Sequence, residues 1–203
     1  MDATARNLRR SEPPTLHARA MADLDFIRRT MERAGSVTTF SGWGLGLIGL
    51  TALGASWLAG SHPAGGRWLG VWIGEAGLAL GIGVLTTLWK ARAMGEPLLP
   101  GPIRKFALAL APALAVGAVF TIALGRAGVW PLVPGVWLVL YGAGLVSGAA
   151  FAARLVPIMG AVFMAFGAIA LLGPAWAAPA FLALGFGGLH IGFGALIARR
   201  HGG

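Results

Sequence analysis

The hydrophobic positions of this chain come in six blocks of roughly 20 residues instead of at the spacing of a soluble core. The blocks cover 39–58, 68–88, 106–124, 129–149, 155–172 and 177–198. An apolar helix of about 20 residues crosses the hydrocarbon layer of a bilayer. The pattern therefore predicts an all-α fold, a polytopic membrane bundle of six transmembrane helices within residues 39–198.

The polar segment before the first block has two parts. Residues 1–14 show no periodicity and are expected to form a flexible tail. Residues 15–35 indicate an amphipathic cytoplasmic helix, which lies on the membrane surface, packs on the chain's own spans or docks a partner. Its apolar face recurs every three or four residues, at Ala20, Leu24, Ile27, Met31 and Ala34. Residues 199–203 form a short C-terminal tail.

Composition agrees with a membrane protein, since 57% of the residues are hydrophobic and only 11% are charged. The net charge is +9, and the basic residues stand at the ends of the blocks and in the N-terminal segment. With a cytoplasmic N-terminus, all but Arg67 and Arg126 of the 16 basic residues fall on the cytoplasmic side. Both termini are therefore predicted to be cytoplasmic. The expected partner of these charges is the lipid bilayer, and not nucleic acid.

Arginine outnumbers lysine 14 to 2 in a chain rich in alanine and glycine, which hints at a GC-rich bacterial genome. The expected location is accordingly the inner (plasma) membrane of a bacterium.

Glycines recur on one face of the second block. Gly70, Gly74, Gly77 and Gly81 form a single stripe at 100° per residue, which predicts a close-packing face. Gly188 and Gly192 of the sixth block are assigned the same helix-packing role. The expected result is association with a second copy of the chain or with another membrane protein.

Three polar residues inside the blocks are candidate site residues: Glu75, Tyr141 and His190. An ionisable residue inside a membrane is costly and usually has a partner. These side chains either bind a ligand, a proton or another ion together, or form a structural hydrogen-bond network, and the sequence leaves both interpretations open.

The sequence contains no recognisable catalytic set. It has no cysteine, no Ser-His-Asp combination and no HExxH motif. One histidine within the blocks is also too few for two axial haem ligands. We therefore expect no catalytic residue, no bound metal and no cofactor.

Three segments carry a resemblance to known sequences, namely MERAGSVTTFSGWG, PGPIRKFALALAP and GFGGLHIGFGALIARRHGG. They are similar to a group of uncharacterised bacterial integral membrane proteins of about this length, from about Asp23 to the C-terminus. The resemblance implies a membrane fold and no particular activity.

The leading hypothesis is a non-enzymatic accessory, scaffold or sensor-like subunit that works through helix packing. The main alternative is a small transporter or a proton- or ion-coupled carrier that uses Glu75 and His190. An enzyme acting on a lipid or quinone is a weaker third hypothesis, because it would need more inward polar groups.

Overall fold

The computed structural model describes residues 19, 21, 23–28, 41–60, 65–93, 95, 101–149 and 155–201. The chain divides into an N-terminal unit, residues 1–36, and a second unit, residues 37–203. In the N-terminal unit, residues 23–28 are helical, as are Arg19 and Met21. The tail 1–14 and the rest of the expected amphipathic helix lie outside the described residues.

The second unit contains six helical segments long and apolar enough to cross a membrane. Five are regular helices: α1 (Gly42–Ala59), α2 (Gly65–Ala93), α3 (Gly101–Arg126), α4 (Val133–Gly148) and α5 (Leu155–Leu172). The sixth span, Ala175–Arg199, consists of shorter pieces. The described residues contain no strand. The prediction of an all-α, six-span membrane protein is thus confirmed.

Local chemistry explains where two of the helices begin and end. The Ser41 side chain accepts a hydrogen bond from the Gly44 N–H at 3.3 Å, so α1 begins just after residue 41. Gly60 ends α1 with a φ of 78°, a conformation that glycine adopts without strain. α2 continues past Leu88, where the apolar block ends, to Ala93. Its last turn carries Lys90 and Arg92.

The sixth span departs from the single regular helix expected from the sequence. A 3₁₀ turn, Ala175–Ala177, leads into α6 (Ala178–Leu182), then a π-helical segment, Ala183–Leu189, and then α7 (His190–His201). The π-helical segment contains three glycines, which leave room for the wider turn. The periodicity of apolar residues carries no signal for such a change.

Two antiparallel seams hold the helices together. α1 packs on the sixth span and α4 packs on α5, while α2 lies against α1 and α3 lies against α4. In each seam, glycines seven residues apart on one helix face glycines seven apart on the other. The facing pairs are Gly42 with Gly194, Gly49 with Gly187, Gly135 with Gly167, and Gly142 with Gly160.

The seams are close enough to exclude any side chain at the glycine positions. A Cβ atom on Gly142 would lie 2.5 Å from the carbonyl oxygen of Gly160, and one on Gly49 would lie 2.6 Å from that of Gly187. Small residues allow two backbones to approach this closely. The resulting van der Waals contacts hold the helices together, because the hydrophobic effect does not act between helices inside a membrane.

Candidate functional site

Tyr141 and His190 form a hydrogen-bonded pair between α4 and the sixth span. The Tyr141 hydroxyl lies 3.1 Å from Nε2 of His190. Only 2% of the His190 surface is exposed. The fold thus brings together two of the three polar candidates, which lie on different spans.

Two phenylalanines enclose the pair. The Phe163 ring meets the imidazole of His190 edge-on at 5.6 Å, and the Phe186 ring stacks on it at 6.1 Å. Both phenylalanine rings also contact Tyr141, each with centroids 5.0 Å apart. The π-helical segment sets the position of this cluster, because it carries Phe186 and ends at the residue before His190.

The second ring nitrogen of His190 is the open position of the cluster. Nδ1 is buried and has no hydrogen-bond partner among the described residues. The carbonyl groups of Gly185 and Phe186 lie close enough to the ring to act on it as weak hydrogen-bond acceptors, although neither meets Nδ1 in good hydrogen-bonding geometry. The imidazole thus has one nitrogen bonded to Tyr141 and one without a partner in good geometry among the described residues.

Glu75 belongs to a separate contact between α2 and α1. Its Oε1 atom lies 2.9 Å from the Thr51 hydroxyl, and the residue is 8% exposed. The same hydroxyl lies 2.9 Å from the carbonyl oxygen of Ile48 and 3.2 Å from that of Leu47. With a single hydrogen to donate, Thr51 serves one of these three acceptors at a time.

The three polar candidates therefore do not form one cluster of direct hydrogen bonds. Tyr141 and His190 are hydrogen-bonded to each other, whereas Glu75 accepts a hydrogen bond from Thr51. Aromatic rings connect the two regions: Trp72, one turn before Glu75, contacts Phe186 at 6.2 Å. The buried Nε1 atom of Trp72 also has no partner among the described residues.

The glycine stripe of α2 faces away from the other described helices. A Cβ atom on Gly70, Gly74, Gly77 or Gly81 would meet no other part of the described chain within 4 Å. These four glycines therefore make no close contact within the described chain, and their packing against a second copy or another membrane protein stays a prediction. We call them the open glycine face of α2. The packed side carries Trp68 and Glu75, about 120–140° further round the helix by its 100° per residue.

The two glycines proposed for the sixth span are also not packing positions within the chain. A Cβ atom on Gly192 would meet nothing within 4 Å among the described residues. One on Gly188 would meet only Leu184 of its own span, at 3.9 Å. The tight contacts of this span are made instead by Gly187 and Gly194.

Sequence reasoning missed Thr51 and the seam glycines. Thr51 gives no signal in the sequence, because a threonine hydroxyl in a helix usually bonds to carbonyl groups of its own helix. The Thr51 hydroxyl makes such contacts in addition to its bond to Glu75. The seam glycines carry a usable signal, a seven-residue spacing that recurs in α1, α4, α5 and the sixth span. That spacing also occurs in α2, so it does not distinguish an internal seam from an open face.

The fold and these contacts define an all-helical polytopic membrane protein. Among the described residues, no three His, Cys, Asp or Glu side chains form a group of possible metal ligands. Comparisons with protein-family models, with curated proteins and with solved structures gave no match.

Proposed function

We propose that this chain is a non-enzymatic accessory or scaffold subunit that works by packing against a second copy of itself or another membrane protein. The observation that carries the proposal is the open glycine face of α2. Small residues are enriched where membrane helices pack together, because they let two backbones approach closely. The face therefore has the composition of a helix contact and no partner among the described residues.

The seams inside the chain support this proposal. Both seams are built from glycines seven residues apart. α2 carries two pairs with the same spacing, Gly70 with Gly77 and Gly74 with Gly81, and both lie on the open face. Only Trp68, Glu75 and Ala91 are buried along the 29 residues of α2, and the side of the helix that carries the glycine stripe is available to another protein.

The pairing of polar groups also favours a packing role over a transport pathway. Glu75 is bonded to Thr51, Tyr141 to His190, and Trp137 to Thr121, each across two helices. Hydrogen bonds of this kind fix the relative rotation of membrane helices. We further propose that the protein lies in a bacterial inner membrane with both termini in the cytoplasm, as the distribution of arginine and lysine favours.

Cysteine cross-linking tests association through a second copy. The chain has no cysteine, so a single-cysteine variant forms no disulfide within one chain, and a covalent product of twice the chain's mass reports two copies joined at that position. Under oxidation of native membranes, we expect Gly77→Cys to give a covalent dimer. Gly54→Cys is the matched control, because Gly54 is also an open glycine, on α1, but is not part of a stripe. Equal dimer yields at the two positions would contradict a specific contact at the open glycine face.

A small proton- or ion-coupled carrier working through Glu75 and His190 is the competing proposal. One observation favours it: Nδ1 of His190 is buried and has no partner in good geometry among the described residues, and it directly follows a π-helical segment, a feature frequent at functional sites. Proteoliposomes that contain a pH-sensitive dye test this proposal. Flux that is lost in both Glu75→Gln and His190→Gln would support a carrier, and no flux from the wild-type protein would count against it.

A further inference from the structure

A groove of about 490 Å³ lies on the last turns of α2. Its described lining residues are Leu85, Thr86, Leu88, Trp89 and Arg92. Residues three, four and seven positions apart share one side of a helix, so Leu85, Leu88, Trp89 and Arg92 form one wall. The groove is therefore a feature of the outer surface of α2, away from the contact between Glu75 and Thr51.

The chemistry of this wall changes along the helix axis. The two leucines come first, the Trp89 indole follows, and the Arg92 guanidinium lies at the far end, about 10 Å from Leu85 at 1.5 Å per residue. A phospholipid has the same order of parts: an apolar chain, an interfacial region that favours tryptophan, and a phosphate. Arginine suits the phosphate, because its planar guanidinium can donate two parallel hydrogen bonds.

The two residues at the polar end of the wall are accessible to a lipid. Trp89 is 67% exposed and Arg92 is also exposed. Within the described part of the chain, no ion pair or hydrogen bond of the Arg92 guanidinium is found. An exposed basic group at the membrane boundary, with no acidic partner among the described residues, gains from an anionic headgroup.

The charge at this end of α2 favours an anionic over a zwitterionic headgroup. Lys90 lies two residues before Arg92 on the same helix and adds a second basic residue at this end of α2. The buried Nζ atom of Lys90 has no partner among the described residues, so its charge is not offset by them. The acidic residue nearest in sequence, Glu96, lies outside the described residues. A choline group would be repelled by this charge, whereas a net negative headgroup is attracted by about 1 kcal/mol for each nearby basic residue.

We propose that this groove binds one phospholipid with an anionic headgroup, with its chain along Leu85 and Leu88 and its phosphate at Arg92. By 100° per residue, Leu88 and Arg92 continue the open glycine face toward the C-terminal end of α2. A protein partner on the glycines and a lipid at this end are therefore neighbours on one helix face, and a mass spectrum that resolves oligomeric state together with bound lipid distinguishes the failure of one proposal from the failure of the other.

Native mass spectrometry of the full chain, released from vesicles of equal phosphatidylglycerol and phosphatidylcholine, tests the site. We expect the wild-type protein to retain phosphatidylglycerol preferentially. Arg92→Gln should lower this preference about fivefold, as the loss of one basic residue implies. Arg92→Lys keeps the charge and should retain most of the preference.

Arg67→Gln is the matched control, since Arg67 is an exposed arginine near the other end of the same helix. It should leave the preference for phosphatidylglycerol unchanged. Equal retention of the two lipids by the wild-type protein would overturn the proposal, and so would an equal effect of Arg67→Gln and Arg92→Gln. Trp89→Leu should weaken retention of both lipids, because the indole contacts the interfacial region that they share.

Discussion

The Tyr141 hydroxyl and Nε2 of His190 lie 3.1 Å apart, and this contact joins α4 to the sixth span. Tyr141→Phe removes the hydroxyl and keeps the ring that packs on Phe163 and Phe186. We expect the free energy of unfolding to fall by about 0.5–2 kcal/mol, because Nε2 of the buried histidine loses its hydrogen-bond partner. The measurement is the unfolding midpoint of the purified protein in nanodiscs.

A double-mutant cycle separates the hydrogen bond from other effects of that substitution. In a His190→Leu background, the hydroxyl of Tyr141 has lost its partner, so Tyr141→Phe should cost little more. If Tyr141→Phe is equally destabilising with and without His190, the hydrogen bond does not account for its effect.

The contact between Glu75 and Thr51 gives a second prediction. Thr51→Val keeps the shape of the side chain and removes the hydroxyl that donates a hydrogen bond to Glu75. We expect a loss of about 0.5–2 kcal/mol in the free energy of unfolding, since the carboxyl group stays buried without that partner. Glu75→Gln, which still has a polar group within reach of Thr51, should remain folded and close to the wild-type stability.

Thr86→Val is the control for this measurement. The Thr86 hydroxyl bonds to the carbonyl oxygens of Ile82 and Gly83, which belong to its own helix. Removal of the Thr86 hydroxyl should therefore lower the free energy of unfolding by less than removal of the Thr51 hydroxyl. A cost for Thr86→Val equal to that of Thr51→Val would show that a bond between helices is not what Thr51 contributes.

The sequence predicted the fold because crossing a membrane requires a long apolar helix, and such helices are visible as blocks. Five of the six blocks matched regular helices within a few residues at most ends, and α5 matched at both. The π-helical segment before His190 was missed, since three glycines within seven residues do not disturb the apolar pattern.

The candidate site was predicted only in part, because a sequence shows which residues are polar but not which helices are neighbours. Tyr141 and His190 come together because α4 packs on the sixth span. In that contact, Leu138 of α4 and Phe163 of α5 lie against Gly185. Glu75 finds Thr51 because α2 packs on α1. The glycine stripe of α2 shows the same limit: periodicity identifies one face of a helix, but not what covers it.

Membrane orientation can be tested with reporter fusions. If both termini are cytoplasmic, alkaline phosphatase fused after Gly203 should be inactive, and a fluorescent protein at that point should be bright. Phosphatase fused after Gly128, which follows α3, should be active, because three spans precede it. Active phosphatase after Gly203 would contradict the orientation derived from the basic residues.

The glycine seams give the prediction with the clearest contrast in sign. A Cβ atom on Gly142 would lie 2.5 Å from the Gly160 carbonyl oxygen, and one on Gly160 would lie 2.7 Å from that of Gly142. Since these neighbours are backbone atoms, the helices must move apart, and we expect Gly142→Ala or Gly160→Ala to lower the free energy of unfolding by about 1–3 kcal/mol. Gly74→Ala on the open face adds a methyl group where the chain has space, and alanine favours a helix over glycine by about 1 kcal/mol at most. Its unfolding midpoint should equal or exceed that of the wild-type protein, so a similar loss in all three variants would contradict the distinction between closed seams and an open face.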